Sequence, residues 1–215
     1  MKSSNQHILE YLIINKDYRD NVITVKSFDE LRNIIEDRYD KLGPGTEQDP
    51  IDFNDIDVSN IDSFCDVKRL LGLFHGIKFK YIDISDWDVS NVTNMRCMFF
   101  GCERLKSVGD LSNWDVSKVT DMNRMFCHCE YLNHNISKWN VSNVTNMLGM
   151  FYKCKSFNKD ISSWNVSSVT DMSYMFYKCE SFDKDISRWD VSNVINNILM
   201  FFDCSIKEEY KPKFK

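Results

Sequence analysis

The densest group of reactive side chains in this sequence is Cys127-His128-Cys129, with His134 shortly after it. Thiolate and imidazole are zinc ligands, and a cysteine beside a histidine can also act as a nucleophile with its base. Adjacent side chains alternate in direction, however, and no second Cys/His pair follows at ligand spacing. A nucleophilic cysteine further needs an orienting partner and an oxyanion site, which this group does not supply. We therefore predict no catalytic residue, no metal and no cofactor.

The eight cysteines suggest redox chemistry as a second interpretation. Five of them recur at one position of an internal repeat: Cys102, Cys129, Cys154, Cys179 and Cys204. If repeats stack as strands do, these positions lie about 5 Å apart, which is close enough for a disulfide on distance alone. Side chains in register point the same way, though, and a buried free cysteine behaves as a small apolar residue. The sequence favours a buried, reduced column, with disulfides as the alternative in an exported protein.

The repeat that positions these cysteines is marked by tryptophan. Tryptophans lie 27, 25, 25 and 25 residues apart, and each opens the pattern W-[DN]-V-S-x-V: Trp87, Trp114, Trp139, Trp164 and Trp189. An aliphatic residue precedes each Trp by three positions, valines follow by two and five, and a Met-Phe pair follows by eleven and twelve. A period in the twenties is typical of solenoids, whose coils are too small to bury their own apolar face. We predict that these columns form the core.

Polarity within one repeat predicts its local structure. Residues 157–164 have bulky side chains around a short polar stretch, which indicates a short strand that ends near Trp164. Residues 170–176 have apolar side chains three and four apart after a Thr-Asp start, which indicates a capped helical turn or a short 3₁₀ segment. The predicted fold class is an α/β repeat solenoid, a right-handed stack of leucine-rich-repeat-like coils with an N-terminal helical cap.

The N-terminal flank predicts that cap. Ser27 and Glu30 form a capping box, and apolar residues at helical spacing predict a helix from residue 28 to about residue 40. Gly43-Pro44-Gly45 would end it. Farther upstream, the apolar segment 8–14 fits either a second helix or a strand, and residues 1–6 are expected to be loose.

The remaining domain boundaries follow from a degenerate first unit. Residues 56–61 repeat the opening pattern with Ile in place of Trp, and Leu73-Phe74 matches a Met-Phe pair displaced by an insertion. Terminal repeats of solenoids are commonly atypical. We predict a cap over residues 1–50, a solenoid of six units over residues 51–204, and a solvated C-terminal tail over residues 205–215.

The extended pattern W-[DN]-V-S-x-V-T-[DN]-M-x-x-M-F-x-x-C-x-x-F resembles the BspA-like leucine-rich repeat family, also described as the mycoplasma lipoprotein-associated repeat. Residues 27–31 are similar to the helical N-cap of these proteins, and residues 206–213 to their usual ending. The resemblance implies an adhesion or protein-interaction solenoid without known catalysis, in a family of surface proteins. The last repeat departs from the pattern, because Ile195 replaces the Thr and Asn197 replaces the Met.

Positions that vary between repeats predict where a partner binds. One variable set lies before and beside each Trp and carries basic residues, and the other follows the Met-Phe pair and is aromatic in four of five repeats. Aromatic side chains are favoured at interaction surfaces, while packing between neighbouring turns is the alternative. The candidate partner-binding residues are Phe100, Tyr152, Tyr177, Phe202, Lys106, His134, Lys138, Lys159, Lys184 and Arg188.

Charge and hydropathy narrow the classes of function. The formal net charge of −5 disfavours nucleic acid, because phosphate binding needs a basic patch. No apolar run approaches the roughly 18 residues of a membrane-spanning helix. The start of the sequence lacks an apolar signal core and a lipidation cysteine, which predicts an intracellular protein.

We expect a non-enzymatic monomer that binds an unidentified protein. The alternatives are an assembly component that associates weakly end to end, or a surface adhesin if the protein is exported.

Overall fold

The computed structural model describes residues 22–66 and 71–215, in which regular secondary structure is sparse. The helices are α1 (Phe28–Leu42) and a 3₁₀ turn (Glu208–Tyr210), and none of the described helices is long and apolar enough to cross a membrane. Two-residue strands lie in the first part of the chain: β1 (Ile23–Thr24), β2 (Ile51–Asp52), β3 (Ile56–Asp57), β4 (Cys65–Asp66), β5 (Leu71–Gly72) and β6 (Ile82–Asp83). β1 pairs with β3 and β2 with β6 in parallel, whereas β4 pairs with β5 antiparallel. The segments 1–6 and 8–14 lie outside the described residues.

The tryptophan repeats, named here by their Trp, pair with one another in parallel. One position of each unit forms a single bridge to its equivalent in the next unit, in the series Ser63, Asn94, Asp121, Asn146, Asp171 and Asn196. From Asn94 to Asp171 this position is the Asx residue of a Val-Thr-Asx motif. In the Trp164 repeat, alternate residues donate backbone hydrogen bonds of 2.8 to 2.9 Å to the Trp189 repeat: Met172, Tyr174, Phe176 and Lys178. The intervening Met175 and Tyr177 donate within their own repeat, to the carbonyl three residues earlier.

Turns replace the helical segment that was predicted after each Val-Thr. Two positions in every repeat have left-handed backbone, the residue before the Met and the third residue after it, as at Tyr174 (φ 59°) and Lys178 (φ 56°). A helix requires consecutive right-handed residues, so each left-handed residue ends the turn after one hydrogen bond. The hydrogen bonds to the next repeat stabilise this conformation in place of the helix.

The strand predicted before Trp164 is also absent. Residues 157–161 have no regular secondary structure, and a turn follows at Ser162 and Ser163. The Asp160 carboxylate accepts the backbone N–H of Ser162 at 3.0 Å, which is an Asx turn. Among the described residues, only the Trp87 repeat and the degenerate first unit before it pair as strands near this position, through β2 and β6. The polar stretch therefore encodes a corner.

The predicted core columns are confirmed. The five tryptophans are 3 to 5 % exposed, and two neighbouring pairs stack, with centroids 6.2 Å apart for Trp114 and Trp139 and 6.5 Å for Trp164 and Trp189. Each indole also donates to a backbone carbonyl of the preceding repeat or unit, as Trp164 Nε1 does to Ile136 O at 3.1 Å. The tryptophans thus fill the core and satisfy their own polar atom there.

The first unit has the Met-Phe equivalent predicted for it. Phe74 stacks on Phe99 with centroids 5.0 Å apart and 2° between the ring planes, and its N–H donates to Met98 O at 2.8 Å. The insertion that displaces this pair contains β4 and β5. Leu73-Phe74 is therefore the first member of the Met-Phe column.

The predicted N-terminal helix is present as α1. Ser27 Oγ accepts the Glu30 N–H at 3.2 Å, and the Glu30 carboxylate accepts the Lys26 N–H at 2.9 Å. Gly43 (φ 76°) follows the last helical residue, so the helix ends slightly later than predicted. Leu31 and Ile35 are fully buried against the core.

Two arginines of α1 hold it in place, and the sequence alone did not reveal them. Arg38 forms two hydrogen bonds of 2.6 Å to the carboxylate of Asp55. Arg32 donates to the carbonyl oxygens of Leu73 at 2.5 Å and His75 at 2.8 Å. Both contacts join residues that lie far apart in the sequence, so local patterns do not predict them.

The C-terminal tail is not merely solvated, as predicted, but packs in part against the last repeat. Ile206 and Pro212 are buried, and Tyr210 and Phe214 are partly buried. The Ile186 N–H donates to Tyr210 O at 3.0 Å. The prediction failed because it weighed the charges of the tail above these apolar residues.

All eight cysteines are free, and the repeating column is hydrogen-bonded in the core. Cys154 Sγ donates to Phe126 O and Cys179 Sγ to Phe151 O, each at 3.0 Å. Burial raises the pKa of the Cys102 thiol to about 12 and holds the pKa of Cys154 well above its usual range. The column therefore stays protonated at neutral pH, and its cysteines form no disulfide in this structure.

We expect Cys154 and Cys179 to react slowly with a thiol reagent in the native protein, because both are buried and protonated. Dithiothreitol should leave the melting temperature unchanged. Thiol titration in native buffer and in denaturant measures the first effect, and calorimetry with and without reductant the second. A fall of several degrees on reduction would mean that disulfides contribute to stability.

Candidate protein-interaction site

A series of aromatic rings, the aromatic column, crosses the repeats at the position after Met-Phe or, in the Trp114 repeat, one residue later. Its members are His75, Phe100, His128, Tyr152, Tyr177 and Phe202, with successive centroids 4.7 to 6.3 Å apart. Tyr152 and Tyr177 stack most closely, at 4.7 Å with 6° between the ring planes. All six rings are at least partly exposed. The four aromatic candidates predicted from the sequence therefore belong to one surface.

His128 occupies a gap in this column. The Trp114 repeat has Cys127 where its neighbours have an aromatic residue, and Cys127 is buried. The next residue, His128, has left-handed backbone (φ 64°), and its ring lies 6.3 Å from Phe100 and 5.4 Å from Tyr152. The sequence suggested metal binding or nucleophilic chemistry at Cys127-His128-Cys129 and did not predict the His128 ring at this surface. The missing aromatic residue beside it was the available signal.

A groove of about 480 Å³ opens beside the column and is called the aromatic groove. It is lined by Phe100, Arg124, Cys127, His128, Leu148, Gly149, Tyr152 and Tyr174. Gly149 occupies the position that holds Arg124 in the preceding repeat and Tyr174 in the following one. The absence of a side chain at Gly149 leaves space between the side chains of Arg124 and Tyr174. The groove therefore exists because two adjacent repeats depart from the pattern, one at Cys127 and one at Gly149.

Cations accompany the aromatic rings. Lys153 Nζ lies 5.4 Å from the centroid of Tyr152, and Lys178 Nζ lies 5.8 Å from that of Tyr177. Arg124 adds a guanidinium to the groove itself. Lys178 also lies 3.8 Å from the carboxylate of Asp203, which offsets part of its charge. The surface combines apolar ring faces with positive charge, a composition found at the energetic centres of protein interfaces.

His128 is biased toward its neutral form. Burial is the largest cause that lowers its pKa, and the charge of Lys153 lowers it further. The carboxylate of Glu103, 4.0 Å from Nδ1, raises the pKa. Burial likewise lowers the pKa values of His75 and His134. At neutral pH the ring is therefore an aromatic contact more than a cation.

We expect the free energy of unfolding to fall as the pH drops below about 6.5. The unfolded state takes up protons on these histidines before the folded state does, so stability decreases with acidity in this window. Urea unfolding at pH 7.5 and pH 5.5 measures the effect. His128→Phe, which preserves a ring, should reduce the pH dependence. Equal or greater stability of the parent protein at pH 5.5 would contradict the expectation.

The basic candidates form a separate set. Lys106, Lys138 and Arg188 are exposed, and His134, Lys159 and Lys184 are partly buried. None of the six lines the aromatic groove. Nearby side chains serve a structural role, because Asn133 accepts the Asn158 N–H at 3.1 Å and Asn158 accepts the Asp183 N–H at 3.2 Å. The two predicted sets therefore do not combine into one site.

The cysteines beside the groove are poorly suited to nucleophilic chemistry. Burial raises the pKa of Cys127 to about 12 and places that of Cys129 well above its usual range. The thiolate is the reactive form, and little of it exists at neutral pH. Among the described residues, no group of three or more His, Cys, Asp or Glu side chains is arranged to hold a metal ion.

A family described as "Mycoplasma protein of unknown function, DUF285" matches residues 48–128 and 105–211. The two matches together cover more than half of the chain. The chain belongs to this family. No curated protein and no solved structure matches it significantly. The DUF285 region includes the whole aromatic column and the aromatic groove, so the candidate site lies within the family's own sequence.

Proposed function

We propose that this protein is a non-enzymatic protein-interaction module. In this proposal the DUF285 repeats form a leucine-rich-repeat-like, right-handed solenoid of the BspA-like type, with residues 1–50 as its cap. The parallel bridges at one position of every repeat support a solenoid, because each repeat then bonds to its sequence neighbours. We infer an intracellular location, with a surface adhesin as the alternative.

The aromatic groove is the observation that supports partner binding most directly. Repeats conserve apolar residues at the positions that pack, whereas Cys127 and Gly149 open a space at the surface. The aromatic rings around that space provide large contact areas with few torsions to immobilise. A partner segment with apolar and acidic side chains suits the rings, Arg124 and the adjacent lysines. The exposed Lys106, Lys138 and Arg188 are a second, separate candidate surface.

The experiment compares capture of a partner by the intact protein and by groove variants. Gly149→Leu fills the groove, and the other repeats have a side chain at this position with the same left-handed backbone. Tyr152→Ala removes a ring from the column. Each variant should reduce the affinity for the captured partner at least tenfold, about 1.4 kcal/mol, as loss of an interface anchor does.

The matched control is Lys118→Ala, an exposed substitution outside both the groove and the second candidate surface. Its affinity should equal that of the parent protein. Thermal melts establish that all variants are folded. Undiminished binding by folded Gly149→Leu and Tyr152→Ala would exclude the groove as the binding surface.

Self-association is the second candidate function, because the last repeat exposes Ile195, Ile198 and Leu199. Exposed apolar edges template association. Sedimentation equilibrium over a range of protein concentrations tests this candidate directly. A concentration-independent monomer mass would exclude it.

A further inference from the structure

The edge of the last repeat, residues 195–203, carries backbone groups that form no hydrogen bond within the described part of the chain. The N–H groups concerned are those of Asn197, Leu199, Phe201 and Asp203. In every earlier Trp repeat the four equivalent N–H groups donate to carbonyls of the next repeat. The Ile195 carbonyl is equally unused, although the equivalent Thr170 carbonyl accepts the Ile195 N–H at 2.8 Å. The edge thus offers one acceptor followed by four donors.

Apolar side chains are exposed along the same edge. Ile195 is 81 % exposed, Ile198 59 %, Leu199 49 % and Phe202 44 %. The C-terminal tail leaves them open, because it pairs with Ile186 on another part of the repeat. Exposed apolar residues beside unpaired backbone groups are the features of a strand edge that accepts another segment. The edge also continues the series of interfaces that join the repeats.

The opposite end of the repeats is closed. There the outward carbonyls of Leu73 and His75 accept hydrogen bonds from the Arg32 guanidinium, in place of the N–H groups of a preceding repeat. The Arg32 side chain is only 11 % exposed. The acceptor end is therefore capped by a residue of this chain, and the donor end is open.

This polarity opposes backbone pairing with a second copy, so self-association at this edge would depend on its exposed apolar side chains alone. Head-to-tail contact would need the acceptor end, which Arg32 occupies. Two-fold contact would place the donors of one copy against the donors of the other, with one unused carbonyl on each side. Neither arrangement satisfies the four N–H groups, so the occupant must bring its own acceptors.

We propose that residues 195–203 bind an extended segment of a partner protein, which adds parallel to this edge. The segment donates one N–H to the Ile195 carbonyl and supplies four carbonyls, on alternate residues, to Asn197, Leu199, Phe201 and Asp203. Its apolar side chains cover Ile198 and Leu199. Backbone pairing supplies affinity in such strand addition, and side chains supply selectivity. This surface is distinct from the aromatic groove and does not depend on it.

A synthetic peptide of residues 165–182, with Ser in place of Cys179, is the probe. Within the protein this segment presents the required pattern, because the carbonyls of Asp171, Ser173, Met175 and Tyr177 accept N–H groups of the preceding repeat. Saturating peptide should slow amide hydrogen exchange of Leu199, Phe201 and Asp203 in the full chain at least about tenfold. A scrambled peptide should leave these rates unchanged.

A variant carrying Ile198→Lys and Leu199→Lys tests the edge itself. Because both side chains are exposed, the fold should persist and peptide affinity should fall at least about tenfold. Tyr131→Lys, at a residue 51 % exposed elsewhere, is the matched control and should bind as the parent does. Tyr152→Ala should also retain the peptide, which separates this proposal from the proposed groove function.

Three outcomes would overturn the proposal. The first is an absence of peptide protection at these amides in the parent protein, which is decisive even if the double variant misfolds. The second is equal peptide affinity in the folded double variant. The third is protection of the same amides by rising protein concentration alone, which would assign the edge to a second copy.

Discussion

Trp164→Ala is expected to lower the free energy of unfolding by about 3 to 5 kcal/mol. Trp164 is 4 % exposed, its ring lies 6.5 Å from that of Trp189 and 6.3 Å from that of Phe151, and its indole bonds Ile136 O. The substitution leaves a cavity within the column and removes one of the two hydrogen bonds to Ile136 O, which also accepts the Trp139 N–H at 3.2 Å. Neighbouring repeats are joined by backbone hydrogen bonds, which restrict their collapse into the space.

Urea unfolding measures this change in the free energy of unfolding. It is followed by backbone circular dichroism, a signal that does not depend on tryptophan. Tyr131→Ala is the matched control, since Tyr131 is an aromatic residue that is 51 % exposed. Its effect should stay within about 0.5 kcal/mol. A loss below about 1 kcal/mol for Trp164→Ala would contradict a tightly packed Trp column.

Arg38→Met is expected to destabilise the protein by about 3 to 5 kcal/mol, because it leaves the carboxylate of Asp55 buried without its counter-charge. Both side chains are only 9 % exposed, and Arg38 also donates to Asp52 O at 2.6 Å. Replacing both residues, as Arg38→Met with Asp55→Leu, should restore much of the loss, because apolar groups can fill the same volume. The two single variants and the double variant form a thermodynamic cycle.

Lys41→Met provides the control for this pair. Lys41 forms an ion pair with Asp37 on the same helix, but the two side chains are 64 % and 55 % exposed. The effect should therefore be below about 1 kcal/mol. The expectation for Arg38 is wrong if the double variant is as unstable as Arg38→Met, or if Lys41→Met causes a similar loss.

Residue type and spacing correctly predicted burial at positions that have the same surroundings in every repeat. Trp164 is buried in the same way as Trp139, so a single inference about one repeat holds for the others. Similar logic identified Leu73-Phe74 as a Met-Phe pair despite the insertion. The start of α1 was equally local, because Ser27 and Glu30 cap neighbouring backbone groups. The second helix or strand over residues 8–14, by contrast, stays an untested prediction.

Local conformational preference did not predict the backbone conformation between the buried columns. Tyr174 and Lys178 favour right-handed backbone in isolation, yet both are left-handed here. The deciding interactions are hydrogen bonds to Ile198 and Phe202, one repeat away in the sequence. Propensity describes only neighbouring residues, so it predicted a helical turn that these bonds override.

The sequence by itself determined which repeat positions are buried and where α1 begins, because apolar periodicity and helix capping are encoded within one repeat or one helix turn. The tertiary structure alone decided the closure of one end by Arg32, the position of the His128 ring, the groove at Gly149 and the open donor edge at residues 195–203. Each of these depends on what the adjacent repeat does or does not provide. A side chain absent from one repeat becomes a groove only when its neighbours on both sides are placed. The N–H groups at the edge 195–203 are unpaired because no described segment of the chain packs on that edge.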